Sequence, residues 1–258
     1  MRVLGRFFQL FLFAVLLSPP LAYNAEWDEF SAQEREILGR ILAHWETWVP
    51  QMKKEGRAPL MTFDELYQGL GREEKGLLDR VRSIRPEGKT YLGMPDPDIV
   101  FKKIEGQEIR RKGKPETVDP QYLPAPVYKT YERMMRTMEK DLGRRLYVES
   151  GYRSPAYQLY TFLFYLPGHG YSIAETRRWV ALPGYSEHGA PHRQAIDFIN
   201  EDGVNGDDPP QTAEDFERLP EYAWLQVRAR DFGFELSYPR GAGGTTYEPW
   251  HWRTAENN

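Results

Sequence analysis

The chain has 258 residues, 38 acidic against 34 basic side chains, five histidines and no cysteine. A mildly acidic balance argues against nucleic acid as the main partner. The missing cysteines exclude disulfides, thiolate zinc sites and a lipid anchor on cysteine.

The first residues read as an export signal. Arg2 and Arg6 flank the start, Phe7 to Leu17 is an apolar run broken only by Gln9, and small residues follow at Ala22 and Ala25. The run is shorter than the roughly 20 apolar residues that span a bilayer, so residues 1–22 are expected to be a cleaved signal peptide. No stable membrane span is expected after cleavage, and the product is expected in the periplasm or cell envelope.

Residues 26–84 carry helical patterning. Ser31-Ala32-Gln33-Glu34 is a capping-box pattern, followed by Ile37, Leu38, Ile41, Leu42, Trp45, Trp48 and Val49 on one stripe. A second box, Thr62-Phe63-Asp64-Glu65, opens another helix that Gly69 and Gly71 divide. His44 lies beside the first stripe without an acidic or histidine partner at helical spacing, so it reads as a packed residue. Residues 85–121 are rich in Pro, Gly and charge and read as a linker or irregular wrap. The predicted organisation is therefore a helical region and linker over residues 23–118 and a second unit over residues 119–258.

In that second unit Val127, Tyr131, Met134, Met135, Met138 and Leu142 form a stripe that Gly143 terminates. Leu146-Tyr147-Val148 reads as a strand. Ser154 and Pro155 then open a helix, and His169 falls in a turn. Ser172-Ile173-Ala174-Glu175 opens a short helix, Ala195 to Ile199 is a strand, and a helix from Thr212 to Asp231 is interrupted by Pro220. Phe234 to Tyr238 and Thr246 to Trp252 are read as two further strands joined by a Gly-rich turn. Helices and strands mixed without a βαβ repeat imply an α+β domain.

Asp197 is anomalous inside Ala195-Ile196-Asp197-Phe198-Ile199, where its neighbours favour burial. A buried carboxylate requires a compensating cation, which an arginine, a helix terminus or a metal could supply. His188, in Ser186-Glu187-His188, can be brought beside this strand by a bend after Pro183-Gly184. His251 follows Glu248 by three residues, a spacing that puts the two on opposite faces of a regular strand. Pro249 cannot donate to a ladder, and the irregularity it imposes could aim both groups at one point. Two imidazoles, one carboxylate and an open position are the donors of a catalytic zinc site, with a spare glutamate for hydrolysis. The bland alternative makes His251 a packed residue between core tryptophans and leaves Glu248, Asp197 and His188 unexplained. Arg153, in Glu149-Ser150-Gly151-Tyr152-Arg153-Ser154, has the planar fork that suits a carboxylate, although a surface ion pair would also account for it.

The set Ser-Gly-Tyr-Arg-Ser, Ser-x-His, Ala-x-Asp-Phe and Glu-Pro-Trp-His-Trp-Arg closely resembles the VanY-like D-alanyl-D-alanine carboxypeptidases, relatives of lysostaphin-type enzymes and the hedgehog domain. The resemblance covers roughly residues 120–254. It implies Zn2+ held by His188, Asp197 and His251, Glu248 as general base, and Arg153 on the substrate's terminal carboxylate. Ser186 and Gln158 are implied at the substrate groove. The implied fold is a small antiparallel sheet with helices packed on it, here preceded by a helical N-terminal extension. The implied substrate is the stem peptide of peptidoglycan, cut at a D,D- or L,D-bond; a peptidoglycan endopeptidase and a non-catalytic wall-binding module are the alternatives. One departure stands out: His188 and Asp197 are nine apart where the family usually has seven, and Arg193 occupies the place of a glycine. The inserted loop brings in His192 as a second histidine, which would line the cleft or face solvent. Oligomeric state is not readable from these features.

Overall fold

The computed structural model describes residues 28–86, 88–92, 98–241 and 246–255. The export segment expected at residues 1–22 and most of the Gly-rich turn near residue 243 lie outside the described residues. No described helix is long and apolar enough to cross a membrane.

Four helices form the N-terminal layer: α1 (Ala32–Trp45), α2 (Val49–Lys54), α3 (Phe63–Tyr67) and α4 (Arg72–Arg82). Both capping boxes form. Ser31 Oγ accepts from the Glu34 N–H and the Glu34 carboxylate returns to the Ser31 N–H, and Thr62 and Glu65 do the same. Gly69 separates α3 from α4 in the left-handed region at φ +77°, and a Cβ there would sit 2.9 Å from the His44 ring. His44 itself bonds through Nε2 to the Gln68 carbonyl at 2.9 Å, so it braces this turn.

Within the stretch read as a linker, the residues from Phe101 on form strands instead. Strands β1 (Phe101–Ile104), β2 (Glu108–Arg111), β3 (Lys114–Thr117) and β4 (Gln121–Pro124) make two antiparallel pairs, β1 with β4 and β2 with β3. The β2–β3 turn places Lys112 and Gly113 both at positive φ, the conformation a two-residue hairpin needs to match strand twist. Short strands with exposed charged faces hid this element, since their alternation buries only single residues such as Ile109 and Leu123.

Beyond β4 come α5 (Ala125–Leu142), β5 (Leu146–Ser150), α6 (Pro155–Tyr165), α7 (Ile173–Thr176) and β6 (Ala195–Asn200). The chain ends with α8 (Ala213–Glu217), α9 (Pro220–Arg228), β7 (Phe234–Leu236) and β8 (His251–Thr254). The main sheet is antiparallel in the order β5-β6-β8-β7. Helix α5 lays its stripe of Val127, Tyr131, Met134, Met135 and Met138 on the sheet, and Gly143 ends it at φ 69°. The final strand is shorter than its sequence suggested: Glu248, Pro249 and Trp250 form a turn, and pairing begins only at His251.

Among the described residues two large apolar cores form, with a small third cluster of Ile109, Val118 and Ile199. One large core joins α5, α8 and α9 to the main sheet. The other joins α1 to α4 with α6 and α7, so Trp45 and Leu38 pack with Phe162 and Leu163. Helix α6 is the hinge between them in sequence. Its N-cap Ser154 accepts from the Tyr157 N–H at 3.1 Å and donates to the Met61 carbonyl at 2.6 Å. The helical layer thus grips the element that follows Arg153.

Candidate active site

Strand register does most of the assembly. Asp197 on β6 lies directly opposite His251 on β8, and facing residues in an antiparallel pair bring their side chains within contact. The Asp197 Oδ1 to His251 Nδ1 distance is 2.8 Å. His188 enters from a short 3-10 turn, Glu187–Gly189, whose N-cap Ser186 accepts the His188 N–H through Oγ at 3.3 Å. His188 Nε2 then stands 3.0 Å from Asp197 Oδ2. One donor atom from each of the three residues falls within 4.8 Å of the others.

The inserted loop between His188 and Asp197 is absorbed by a second 3-10 turn, Pro191–Arg193, with Gln194 fixed to the His188 and Ala195 carbonyls. It leaves His192 exposed, away from the three donors. The nine-residue spacing is therefore compatible with the same convergence.

Both imidazoles are oriented from behind. His188 Nδ1 is 2.7 Å from the Gly151 carbonyl, leaving Nε2 to face inward. His251 Nε2 is 3.2 Å from Glu187 Oε2, leaving Nδ1 to face inward. A ring nitrogen held by a carbonyl or carboxylate fixes the tautomer and raises the basicity of the other nitrogen. Gly151 is required for this: a Cβ there would meet the Tyr122 carbonyl oxygen at 2.3 Å. Neither Glu187 nor Gly151 stood out in the sequence as a site residue. Both lie inside the quoted motifs, but only the fold shows what they touch.

The electrostatics suit a cation. Burial alone would raise the Asp197 carboxyl, yet the adjacent imidazoles hold it well below the ordinary carboxylate range; of the two, His251 carries the charge, lowered by burial but pushed up to about 10 by Asp197 and Glu187. Burial pushes His188 down to about 4, aided by the nearby Arg153 charge, so its imidazole is neutral. Its Nε2, wholly buried, makes no hydrogen bond of good geometry despite the nearby carboxylate. A buried nitrogen lone pair without a donor, beside an ionised carboxylate and a second imidazole, fits a metal ion of the kind nitrogen and oxygen donors prefer.

Glu248 sits at the rim of this cluster, its Oε2 3.6 Å from His251 Nδ1. The turn through Pro249, closed by the His251 N–H on the Glu248 carbonyl at 3.1 Å, brings the two side chains to the same side. Burial pushes the Glu248 carboxyl up to about 7, against the lowering pull of His251. Arg153 lines the same cleft, its backbone N–H bonded to the His188 carbonyl at 3.0 Å. Its guanidinium makes no ion pair among the described residues, unlike Arg111 or Arg178 in the same cavity. The surface ion pair that the sequence left open is absent from this set. Gln158 is buried on α6, donates to the Ala181 carbonyl at 2.6 Å, and keeps Oε1 without a hydrogen bond. The whole cleft has a volume of about 700 Å³.

A histidine-aspartate-histidine donor set, an adjacent raised carboxyl and an arginine without an ion pair among the described residues are the groups that a hydrolytic metal centre calls for. Residues 120–256 match the family model of VanY, D-alanyl-D-alanine carboxypeptidase. The chain is 32% identical over 138 residues to the bifunctional D-Ala-D-Ala dipeptidase and D-Ala-D-Ala carboxypeptidase VanXYC of Enterococcus gallinarum, covering 51% of this chain and 66% of that protein. It is 30% identical over 129 residues to a D-alanyl-D-alanine carboxypeptidase of Enterococcus faecalis, covering 49% of this chain and 37% of that one. Among solved structures, the LdcB LD-carboxypeptidase is similar at 23% identity and a TM-score of 0.45, over 68% of this chain and 71% of that one. VanYB in complex with D-alanine-D-alanine is similar at 22% identity and a TM-score of 0.44, over 64% and 86% of the two chains. The chain belongs to the VanY D-alanyl-D-alanine carboxypeptidase family.

Proposed function

We propose that the protein is a zinc-dependent carboxypeptidase that removes the C-terminal D-alanine from peptidoglycan stem peptides after export through residues 1–22. The observation that carries this reading is the convergence of His188, Asp197 and His251 on one point, with Glu248 and the unpaired Arg153 on the same cleft. His188 Nε2, His251 Nδ1 and the Asp197 carboxylate would hold the zinc. A zinc ion bound there polarises a scissile carbonyl and acidifies water.

The residues divide the remaining work. Arg153 accepts the free terminal carboxylate on its planar fork, which sets how far the peptide enters. Glu248, raised to about 7, is poised near neutrality to take a proton from the attacking water and return it to the departing amine. Gln158, anchored on the Ala181 carbonyl, would shape the wall of the substrate groove, and Ser186 would hold the His188 turn in place. The free-carboxylate fork favours carboxypeptidase over endopeptidase action. It serves a D,D- or an L,D-linked terminal alanine equally.

The test is hydrolysis of defined tetrapeptide and pentapeptide muropeptides, with and without chelator, by the wild type and Glu248→Gln. The variant is expected to retain zinc and to lose about 10²- to 10⁴-fold in kcat, the usual share of a general base. A C-terminally amidated peptide is expected to resist cleavage. Unchanged hydrolysis by the zinc-loaded variant would falsify the mechanism.

A further inference from the structure

We propose that Lys53 is a second anion-recognition element of the cleft, selecting peptides that carry a further carboxylate two to three residues upstream of the terminal one. The proposal rests on the carboxypeptidase reading for the direction in which the peptide lies.

Lys53 is in the last turn of α2, outside residues 120–256 that match the family. It nevertheless lines the same cavity as Arg153, Glu248 and His251. Its ammonium stands 5.3 Å from the ring centre of Tyr160 and 6.0 Å from that of Tyr157. Those two rings are stacked at 5.7 Å and within 8° of parallel, so they form one aromatic wall beside the cation. A cation held on aromatic faces loses little further freedom when an anion arrives.

The charge beside this wall has no ion pair among the described residues. Lys53 is half-buried, and no carboxylate among the described residues lies within 4.0 Å of it. Burial holds the Lys53 ammonium below the ordinary lysine range, and Asp119, itself exposed, opposes this only at longer range. Elsewhere on the wall Arg111 is paired with Glu116 and Asp208, and Arg178 with Glu175. Arg153 and Lys53 are thus half-buried cations of the cleft without an ion pair to any described residue. A half-buried ammonium facing a cavity gains most from an anion that enters the cavity with the ligand.

The spacing follows from α6. Arg153 stands two residues before α6, and Tyr157 and Tyr160 lie on its first two turns, which places them on the order of 10 Å from Arg153 along the helix. An extended peptide covers that span in about two to three residues at roughly 3.3 Å each. With the terminal carboxylate on Arg153, the group that reaches Lys53 belongs to the second or third residue before the terminal one.

The experiment uses the full-length zinc-loaded protein in a Glu248→Gln background, so that peptides bind without being cut. Two peptides ending in D-alanine are titrated calorimetrically. One carries glutamate at the second and third residues before the terminus, and the other carries glutamine at both. Protein with Lys53 is expected to favour the acidic peptide about tenfold, the size of one charge-assisted hydrogen bond. Lys53→Gln is expected to abolish the preference and Lys53→Arg to retain it, with unchanged thermal unfolding. An equal affinity for both peptides, or a preference that survives Lys53→Gln, overturns the assignment. Binding of neither peptide overturns both the assignment and the reading beneath it. Acid-selective binding that Lys53→Gln abolishes, without hydrolysis by the parent enzyme, overturns only the carboxypeptidase reading.

Discussion

Replacing Glu187 tests whether the cleft was built around a metal, because its carboxylate touches the proposed ligand set only from behind. Its Oε2 is 3.2 Å from His251 Nε2 and its Oε1 is 2.5 Å from Arg253 Nη1. The side chain is 11% exposed. In the metal-loaded protein it would accept the Nε2 proton of His251, which keeps Nδ1 available and more basic. Removing such a partner typically weakens metal binding by about 10- to 100-fold, or roughly 1.4 to 2.7 kcal/mol. Glu187→Gln keeps an acceptor oxygen and loses the charge, so it belongs near the lower figure. Glu187→Ala loses both and belongs near the upper one. Arg253 retains Glu235 at 2.7 Å in either variant, so the strand pairing of β7 with β8 has an independent anchor.

Zinc affinity is read by competition against a chromogenic chelator, in parallel with thermal unfolding of the metal-free proteins. The expected result is a graded loss of affinity, Ala worse than Gln, with metal-free unfolding temperatures that differ far less than the loaded ones. An alanine variant with wild-type zinc affinity would show that His251 is not a ligand or is oriented by something else. Equal losses of stability with and without zinc would reduce Glu187 to a structural ion-pair partner.

Gly151→Ala is expected to lose stability and to weaken zinc binding together, because the new methyl group meets the Tyr122 carbonyl and displaces the carbonyl that orients His188. Calorimetric unfolding and the chelator competition report both effects; loss of neither would show that the backbone can yield there. Ser154→Ala removes the α6 cap and the bond to the Met61 carbonyl, and should cost about 1 to 3 kcal/mol in denaturant unfolding. Met134→Ala, at a site with no solvent exposure, should cost about 2 to 5 kcal/mol by the same measurement, with little change in zinc affinity. Deleting residues 1–86 strips the apolar face of α6 that packs on Leu38 and Trp45. The remainder is expected to aggregate or to bind hydrophobic dyes, and a soluble, fully active remainder would refute the structural role assigned to the helical layer.

The long periodic elements could be read directly from the chain. The stripe from Ile37 to Trp45 and the methionine stripe of α5 each repeat at helical spacing, and both are buried as the period requires. The hairpins between residues 101 and 124 were hidden for the opposite reason. Each strand is four residues long and buries at most two side chains, none in β3, too few to make alternation visible against a background of lysine, glutamate and proline. Lys112-Gly113 was the one local signal, a dipeptide compatible with two consecutive left-handed residues. It is weaker than the Asn-Gly or Asp-Gly pair that announces such a turn.

The site was readable to the extent that its residues are unhappy where the chain puts them. Asp197 in an apolar strand and Pro249 within a strand-like run each violate a local preference, and such violations gather at functional positions. Register then completes what composition began. Asp197 opposite His251 is one cross-strand pair, and a slip of one residue would turn one of the two to the other face of the sheet. The turn at Pro249 does the converse for Glu248, aligning two side chains that a continued strand would separate. What no local rule could supply was the set of groups behind the donors. Glu187 and the Gly151 carbonyl act across 64 and 37 residues of sequence, and Lys53 reaches the cleft from a layer outside the family match. Their effect comes from tertiary packing, which makes α6 both the support of Arg153 and the seat of the Lys53 charge.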